Sequence, residues 1–313
     1  MTPFAFVFPG QGSQSVGMLD AWGDHPAVAA TLAEASAALG QDLGALIHAG
    51  PEDQLALTVN TQLVMLVAGV ANYRAWLAEG GPAPAVVAGH SLGEYSALVA
   101  AGALTLADAV PLVRFRAQAM QDAVPVGTGA MMAILGLDSA QVRHACEQAA
   151  RDSGEIVSAA NYNDPKQTVI AGTRAGVDMA VDLLKRLGAK KAMPLSVSAP
   201  FHCALMKPAA ERLQARLADT PIRTPTIPVV NNIDVAVETD PDRIRDALYR
   251  QAFGPVRWVE LVGAVQGRGV QHLFECGPGR VLSKMIKRIV PEGTVTGVVL
   301  DPATLSETKG LLA

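Results

Sequence analysis

Residues 85–101, AVVAGHSLGEYSALVAA, decide both the fold and the site of this chain. The segment begins with small apolar residues typical of a buried parallel strand and ends in an Ala- and Leu-rich stretch that favours a helix. Between them, GHSLG at 89–93 is a G-x-S-x-G turn, which presents a serine on a sharp strand-to-helix elbow. We therefore predict that Ser91 is a nucleophile and that the Leu92 amide, at the helix N-terminus, stabilises an oxyanion.

The composition is that of a globular α/β protein. Half of the 313 residues are apolar and 17% are charged, which suits either two modest domains or one large domain with an insertion. Abundant Ala, Val and Leu with few aromatic residues favour helices packed on a buried parallel sheet. The balance of 25 basic against 29 acidic residues argues against nucleic acid as a partner.

No part of the sequence predicts a membrane or secretory function. The longest apolar run, residues 63–71, is far short of a membrane span, and the N-terminus lacks the features of a signal peptide. Cys146, Cys203 and Cys276 are widely spaced and form no C-x-x-C motif, which indicates reduced thiols rather than a disulfide or a zinc site. We therefore expect a soluble, cytoplasmic protein that holds no metal.

Residues 127–197 follow a different pattern from the rest of the chain. Their apolar periodicity predicts the order β-α-β-β-α-β, which is the ferredoxin-like arrangement. The flanking segments predict apolar strands alternating with helices, as in a parallel α/β sheet. We therefore predict a large domain of residues 1–126 and 198–313, with residues 127–197 inserted as a small domain and a substrate cleft between them. The predicted strands are 4–8, 85–88, 130–135, 156–161, 167–171, 192–197, 227–231 and 270–275, and helix 281–290 is predicted to be the last of the chain.

A glycine-rich loop, GQGSQS at 10–15, follows the first predicted strand. One interpretation is an ordinary strand-to-helix turn, which glycine favours in any case. The other is a second source of oxyanion-binding amides beside the nucleophile, since such a donor commonly comes from the loop of a neighbouring strand.

A serine nucleophile needs a base, and His202 is the best placed of the six histidines. It follows the loop at 198–201, where a predicted strand ends, and it precedes a helix. The alternative interpretation is a surface residue at a helix N-terminus. Of the Asp and Glu residues between Ser91 and His202, none lies just after a strand of the predicted large domain, so we expect a main-chain carbonyl to orient the imidazole in a Ser-His dyad.

Arg114 and Arg116 lie two positions apart on one predicted helix and therefore point in different directions. At most one of them is expected to face the site. The other is most simply a solvated surface charge.

Several motifs in this order resemble the malonyl-CoA:acyl carrier protein transacylases of type II fatty acid synthesis, which are similar to the acyltransferase domains of polyketide synthases. The matching stretches are GQGSQ at 10–14, GHSLGE at 89–94, RFR at 114–116, GTGAM at 127–131, APFH at 199–202, VNN at 230–232, RQ at 250–251 and ECGPG at 275–279. They extend over essentially the whole chain. The resemblance implies an α/β hydrolase-like large domain with a parallel sheet core and an inserted ferredoxin-like small domain.

The resemblance also implies a role for each matching position. It makes Ser91 the acylated residue, His202 the base and Arg116 the group that binds the malonyl carboxylate. The other implied positions are the oxyanion-hole amides of Gln11 and Leu92, the substrate-binding residues Gln251, Asn161 and Asn163, and the main-chain carbonyl of Gln251 as the group that orients His202. Phe201 resembles the pattern associated with malonyl rather than methylmalonyl selection.

The implied activity is transfer of a malonyl group from malonyl-CoA to the phosphopantetheine thiol of acyl carrier protein, through an ester on Ser91. The partners would be malonyl-CoA and acyl carrier protein, with no metal or cofactor, and we expect a monomer that supplies fatty acid elongation. Three alternatives stay open: an acyltransferase for another carboxyacyl-CoA in polyketide synthesis or malonate metabolism, a serine thioesterase or hydrolase, and a catalytically silent docking module.

Overall fold

Strand β1 (Phe4–Phe8) lies at the centre of the larger sheet, and every one of its apolar residues is buried there. Phe4, Phe6 and Phe8 point to one face and Ala5 and Val7 to the other, as the two-residue period of a strand requires.

The computed structural model describes residues 2–125 and 127–312. Its strands are β1 (Phe4–Phe8), β2 (Val86–Gly89), β3 (Gly129–Leu135), β4 (Val157–Asp164), β5 (Gln167–Thr173), β6 (Lys191–Pro194), β7 (Val229–Val230), β8 (His272–Cys276) and β9 (Val295–Val299).

Helices cover both faces of this sheet and give it two apolar cores. The helices are α1 (Pro26–Leu39), α2 (Leu43–Ala49), α3 (Glu52–Ala56), α4 (Thr58–Ala78), α5 (Gly93–Ala100), α6 (Leu106–Asp122), α7 (Ser139–Ser153), α8 (Arg174–Arg186), α9 (Lys207–Ala218), α10 (Pro241–Phe253), α11 (Trp258–Gln266), α12 (Val281–Ile289) and α13 (Pro302–Gly310). The phenylalanine face of β1 packs against α4, where the ring centroids of Phe6 and Trp76 are 5.2 Å apart. The other face packs against α11 and α12. Within the described ranges, no helix has the combination of length and hydropathy that crossing a membrane would require.

The larger sheet is parallel throughout and has the strand order β7-β2-β1-β8-β9. Parallel strands must be joined by crossovers on the faces of the sheet, so strands buried on both faces are expected. The carboxyl ends of β1, β2 and β8 therefore meet at one edge, and the loops that follow them lie together there.

The smaller sheet is antiparallel and has the order β4-β5-β3-β6. With α7 and α8 on one face, this is the predicted ferredoxin-like arrangement, and it buries an apolar core of its own. The register of β4 shifts after Ala159, and the main chain there turns toward the larger layer. The Val256 amide donates to the Ala160 carbonyl at 2.8 Å and the Tyr162 amide donates to the Val256 carbonyl at 2.9 Å, which ties the two layers together.

The predicted mixed α/β fold with a parallel sheet core is confirmed, and most predicted elements are present within a few residues. The division into residues 1–126 with 198–313 and residues 127–197 stays a prediction, and residue 126 lies outside the described residues. Strands β3 to β6 form the smaller sheet, and the other strands form the larger one.

Two predictions about the C-terminal half are wrong. The strand predicted over 227–231 is only Val229–Val230, because Pro228 has no amide to extend the ladder and Asn231 turns away to bond Asp234. Helix α12 is not the last element, since β9 adds a parallel strand beside β8 and α13 packs on it. Four of the five residues of β9 are Val or Thr, which favour a strand, so this element was predictable from its local sequence.

Candidate active site

The turn between β2 and α5 holds Ser91 in a left-handed conformation with φ of 52°. The elbow is so tight that glycine is required on both sides of it. A Cβ atom on Gly89 would lie 1.9 Å from the Gly93 carbonyl carbon, and one on Gly93 would lie 2.0 Å from the Phe8 oxygen. The Ser91 amide is held by the Asn232 side-chain oxygen at 2.8 Å, which offsets part of the backbone strain.

His202 lies in the loop between β6 and α9 and reaches the serine directly. Its Nε2 is 2.7 Å from the Ser91 hydroxyl oxygen. Its Nδ1 is 3.0 Å from the Gln251 carbonyl oxygen and 3.2 Å from that of Gly254. Because carbonyl oxygens only accept, Nδ1 must carry the proton, and Nε2 is then free to accept the serine proton. The arrangement is a dyad oriented by main-chain carbonyls, and no carboxylate of residues 2–125 or 127–312 bonds the imidazole.

The surroundings of His202 keep its imidazole neutral. Burial and, to a lesser extent, the nearby Arg116 cation lower the pKa of His202 to about 3. A neutral imidazole can accept a proton at any pH in the physiological range, so the ring is ready to act as a base.

Arg116, on α6, is only 2% exposed and points at the serine. Its guanidinium donates to the Gln62 side-chain oxygen at 2.6 Å, to the Gln251 side-chain oxygen at 3.1 Å and to the Ser91 hydroxyl at 3.3 Å. Burial lowers the pKa of Arg116, yet arginine stays protonated in proteins. Among the described residues, none of its hydrogen-bond acceptors is a carboxylate, and its Nε has no acceptor at all. The positive charge is therefore available to an anionic ligand.

A cavity of about 170 Å³ opens above these groups. Its lining includes Ser91, His202 and Arg116 together with the predicted residues Gln11, Leu92, Asn161 and Asn163. In the part of the chain that the structure describes, the main-chain amides of Gln11 and Leu92 have no protein acceptor. Two free N–H donors at the edge of the cavity can stabilise an oxyanion formed there.

The small sheet contributes Asn161 and Asn163 from β4, where both are buried. The Asn163 side-chain oxygen is 2.9 Å from Nε2 of His90, the residue before the nucleophile. Burial lowers the pKa of His90, so this ring is also neutral. His90 thus faces the small sheet, as expected for neighbours on a tight turn that point apart.

Gln251 is placed differently from the other predicted substrate-binding residues. It is fully buried on α10 and contacts Ser91, His202 and Arg116 from behind, and the residues that line the cavity do not include it. Its position fits a supporting role for its carbonyl and its amide rather than contact with a substrate.

The prediction for Arg114 is wrong. Of the two arginines on α6, Arg116 faces the site, but Arg114 is not a solvated charge. Its guanidinium is partly buried and donates to the Val59 carbonyl and to the side chains of Asn60 and Gln41. It ties α6 to α4 instead.

Sequence reasoning missed several groups that hold the site. Asn232 and Glu94 lie inside the quoted motifs, which give no hint of what these side chains touch. Gln62 is 54 positions from Arg116 and belongs to no motif. The Gly254 carbonyl shares the task predicted for the Gln251 carbonyl alone. Within the described residues, no group of three or more His, Cys, Asp or Glu side chains could hold a metal ion.

Comparison with known proteins shows the class to which this fold and site belong. The family described as acyl transferase domain matches residues 5–301. The malonyl CoA-acyl carrier protein transacylase of Escherichia coli (strain K12) is 56% identical over 299 residues, which are 95% of this chain and 96% of that protein.

Solved structures agree. An acyl-carrier-protein S-malonyltransferase from Burkholderia pseudomallei 1710b has a TM-score of 0.96 and 58% identity, covering 99% of this chain and 100% of that one. A malonyl-transacylase in complex with its type II PKS acyl-carrier protein has a TM-score of 0.95 and 49% identity, covering 99% of this chain and 100% of that one. The chain belongs to the acyl transferase family and, within it, to the malonyl CoA-acyl carrier protein transacylases. The family predicted from the motifs is thus confirmed.

Proposed function

We propose that this chain transfers the malonyl group from malonyl-CoA to the phosphopantetheine thiol of acyl carrier protein, through a malonyl ester on Ser91. The observation that carries the proposal is a nucleophile–base pair, the Ser91 hydroxyl oxygen and His202 Nε2 at 2.7 Å, in one cavity with a buried arginine whose acceptors among the described residues include no carboxylate. The names of the relatives, and the neighbour solved with an acyl-carrier protein, support the acyl group and the acceptor.

In the first half-reaction, the Ser91 oxygen attacks the thioester carbonyl of malonyl-CoA while His202 Nε2 takes the hydroxyl proton. The carbonyl oxygen becomes an oxyanion, which the amides of Gln11 and Leu92 stabilise. The carbon–sulfur bond then breaks, and His202 returns its proton to the leaving thiolate. The products are free CoA and a malonyl ester on Ser91.

In the second half-reaction, His202 takes the proton of the phosphopantetheine thiol, and the sulfur attacks the Ser91 ester. The same amides hold the second oxyanion. The carbon–oxygen bond breaks, and His202 returns the proton to Ser91. The two halves share one site, so the kinetics are ping-pong, and the proposal includes no metal or cofactor.

Arg116 gives the site its preference for malonyl over acetyl. A planar guanidinium binds a carboxylate through two parallel hydrogen bonds. A charge-assisted contact of this kind contributes about 1.5–3 kcal/mol, or roughly a ten- to hundredfold preference over an acyl group that leaves the arginine unpaired. Phe201, which borders the cavity beside His202, supports malonyl rather than methylmalonyl as the cargo.

Two further expectations belong to this proposal. Every group that it uses comes from a single chain, which agrees with action as a monomer. The described cysteines Cys146, Cys203 and Cys276 are all buried free thiols, which supports the reducing cytoplasm as the place of action, in the supply of fatty acid elongation.

Intact-protein mass spectrometry tests the proposal. Mixing the chain with malonyl-CoA should give a malonyl adduct that maps to Ser91, is absent in Ser91→Ala, and disappears when acyl carrier protein with its phosphopantetheine is added. Free malonate without an adduct would indicate a hydrolase instead. A preferred adduct from another carboxyacyl-CoA would indicate a different cargo, and no adduct from any acyl-CoA would indicate a silent docking module.

A further inference from the structure

Glu94, in the first turn of α5, is an acid buried three positions after the nucleophile. It is 2% exposed, and its two neighbours in the hydrogen-bond network, Asn232 and Gln251, are fully buried. Burial raises the pKa of Glu94 to about 7, against the opposing effect of the N–H groups that point at it. The residues that line the active-site cavity do not include Glu94, so any effect it has on the reaction must pass through other groups.

One oxygen of Glu94 collects three N–H donors. Oε2 accepts from the Asn232 main-chain amide at 2.9 Å, from the Asn232 side-chain nitrogen at 2.6 Å and from the Gln251 side-chain nitrogen at 3.0 Å. The Asn232 main-chain amide can only donate, so Oε2 is an acceptor, and both side-chain NH₂ groups have to face it.

Glu94 orients the two amides together with two main-chain carbonyls, since the Asn232 nitrogen also donates to the Gly89 carbonyl at 2.6 Å and the Gln251 nitrogen to the Ser91 carbonyl at 3.0 Å. With its nitrogen toward Glu94, Asn232 turns its oxygen to the Ser91 amide at 2.8 Å. With its nitrogen toward Glu94, Gln251 turns its oxygen to Arg116 at 3.1 Å. In either amide the reverse orientation would put an NH₂ group against another N–H donor.

We propose that Glu94 is a positioning residue: as the side-chain acceptor shared by the Asn232 and Gln251 amides, it completes their orientation and, through them, supports the strained Ser91 turn and aims Arg116 into the cavity. The part that concerns Arg116 rests on the proposed malonyl specificity.

The arrangement also leaves the Arg116 guanidinium available to the substrate carboxylate. A carboxylate placed directly on Arg116 would occupy the guanidinium and compete with the substrate carboxylate. Glu94 instead holds the neutral Gln251 oxygen against Arg116, so that a buried negative charge lies nearby without taking the N–H groups of the arginine. The cation is thereby stabilised and its binding face is kept free.

The test compares kcat/KM for self-acylation by malonyl-CoA and by acetyl-CoA in Glu94→Met, Glu94→Gln and the control Ser96→Ala. Met has a similar volume but offers no charged acceptor, so the Gln251 nitrogen keeps only the Ser91 carbonyl and Gln251 holds Arg116 less firmly. We expect the malonyl rate to fall about 100-fold and the malonyl-to-acetyl ratio to fall about tenfold or more, the size of a lost charge-assisted hydrogen bond. Glu94→Gln, which retains one acceptor oxygen, should recover most of the ratio. Ser96→Ala, buried on the same helix, should leave the ratio at the wild-type value.

A purely structural role would lower both acyl rates together and leave their ratio unchanged, and that result would overturn the proposal. If Glu94→Met does not fold, Gln251→Leu takes its place, because it removes the side-chain oxygen from Arg116 and leaves the main-chain carbonyl on His202. An unchanged ratio in Gln251→Leu would equally overturn it. A negative result for the Glu94 proposal can be distinguished from failure of the proposed function, because the wild-type malonyl adduct is measured in the same experiment.

Discussion

On the wall of the cleft built by the parallel sheet, Ser91, His202 and Arg116 each make two or more hydrogen bonds. On the wall built by the antiparallel sheet, Asn163 makes one side-chain hydrogen bond, to His90, and the Asn161 side chain makes none to the described residues. Groups that must point at a reacting atom are held from several sides, because a displacement of about 1 Å lowers the reaction rate strongly. Groups that only border the cavity need no such support. The first wall is therefore expected to do the chemistry and the second to shape the space.

The largest effect should come from removing the pair at the centre of the first wall. His202→Ala deletes the base and should lower the rate of Ser91 acylation about 10³-fold or more. The double variant with Ser91→Ala should be no worse than Ser91→Ala alone, because the two residues act as a unit. Rapid-quench acylation measures both, with thermal unfolding as the control for folding. Additive losses would contradict the dyad.

Arg116→Ala should separate the two acyl groups. Malonyl transfer should fall about ten- to hundredfold because its carboxylate loses the guanidinium, while acetyl transfer should be kept or should rise. Arg114→Ala is the matched control on the same helix, and it should affect stability without changing the malonyl-to-acetyl ratio. Equal loss of both activities in Arg116→Ala would assign that arginine a structural role only.

The pH dependence of stability tests the buried state of His202. The pKa of His202 is lowered from 6.5 to about 3 in the folded protein, so between these values the unfolded chain binds a proton that the folded chain does not. The contribution of His202 to the free energy of unfolding is therefore fully present above pH 6.5, and it is lost as the pH falls. Relative to His202→Asn, the wild type should lose about 2 kcal/mol of unfolding free energy between about pH 6.5 and 5. Urea unfolding of both proteins checks this, and parallel pH curves would contradict it.

The smallest effect should come from the second wall. Asn161→Ala removes a side chain without hydrogen-bond partners among the described residues, so transfer of malonyl and of acetyl should both fall less than about tenfold and by a similar factor. Steady-state kinetics with the two substrates measures this. A loss as large and as selective as that of Arg116→Ala would show that the two walls do not differ as proposed.

The sequence predicts those parts of the molecule that depend on neighbours along the chain. The apolar run of β1, the elbow around Ser91 and the β-α-β-β-α-β order each leave a local pattern, so they could be identified before the structure. His202 was recognisable because it follows the end of a strand. The resemblance then supplied roles that no spacing reveals, such as that of Arg116.

The parts that could not be predicted depend on side chains that meet only in the folded chain. Glu94 lies 138 positions from Asn232 and 157 from Gln251, and no periodicity relates them. Gln62 contacts Arg116 from another helix in the same way. The strand β9 is a different case, because its Val and Thr residues favour a strand and it could have been predicted from the sequence.

The central claim is that Ser91 carries an acyl group that the site selects by binding the carboxylate of that acyl group. The most direct measurement is a competition in which the wild-type chain meets malonyl-CoA and acetyl-CoA in equal amounts, with the ester on Ser91 read by intact mass after a single turnover. The account predicts that the malonyl ester dominates by roughly ten- to a hundredfold. Equal amounts of the two esters, or a predominance of acetyl, would contradict it.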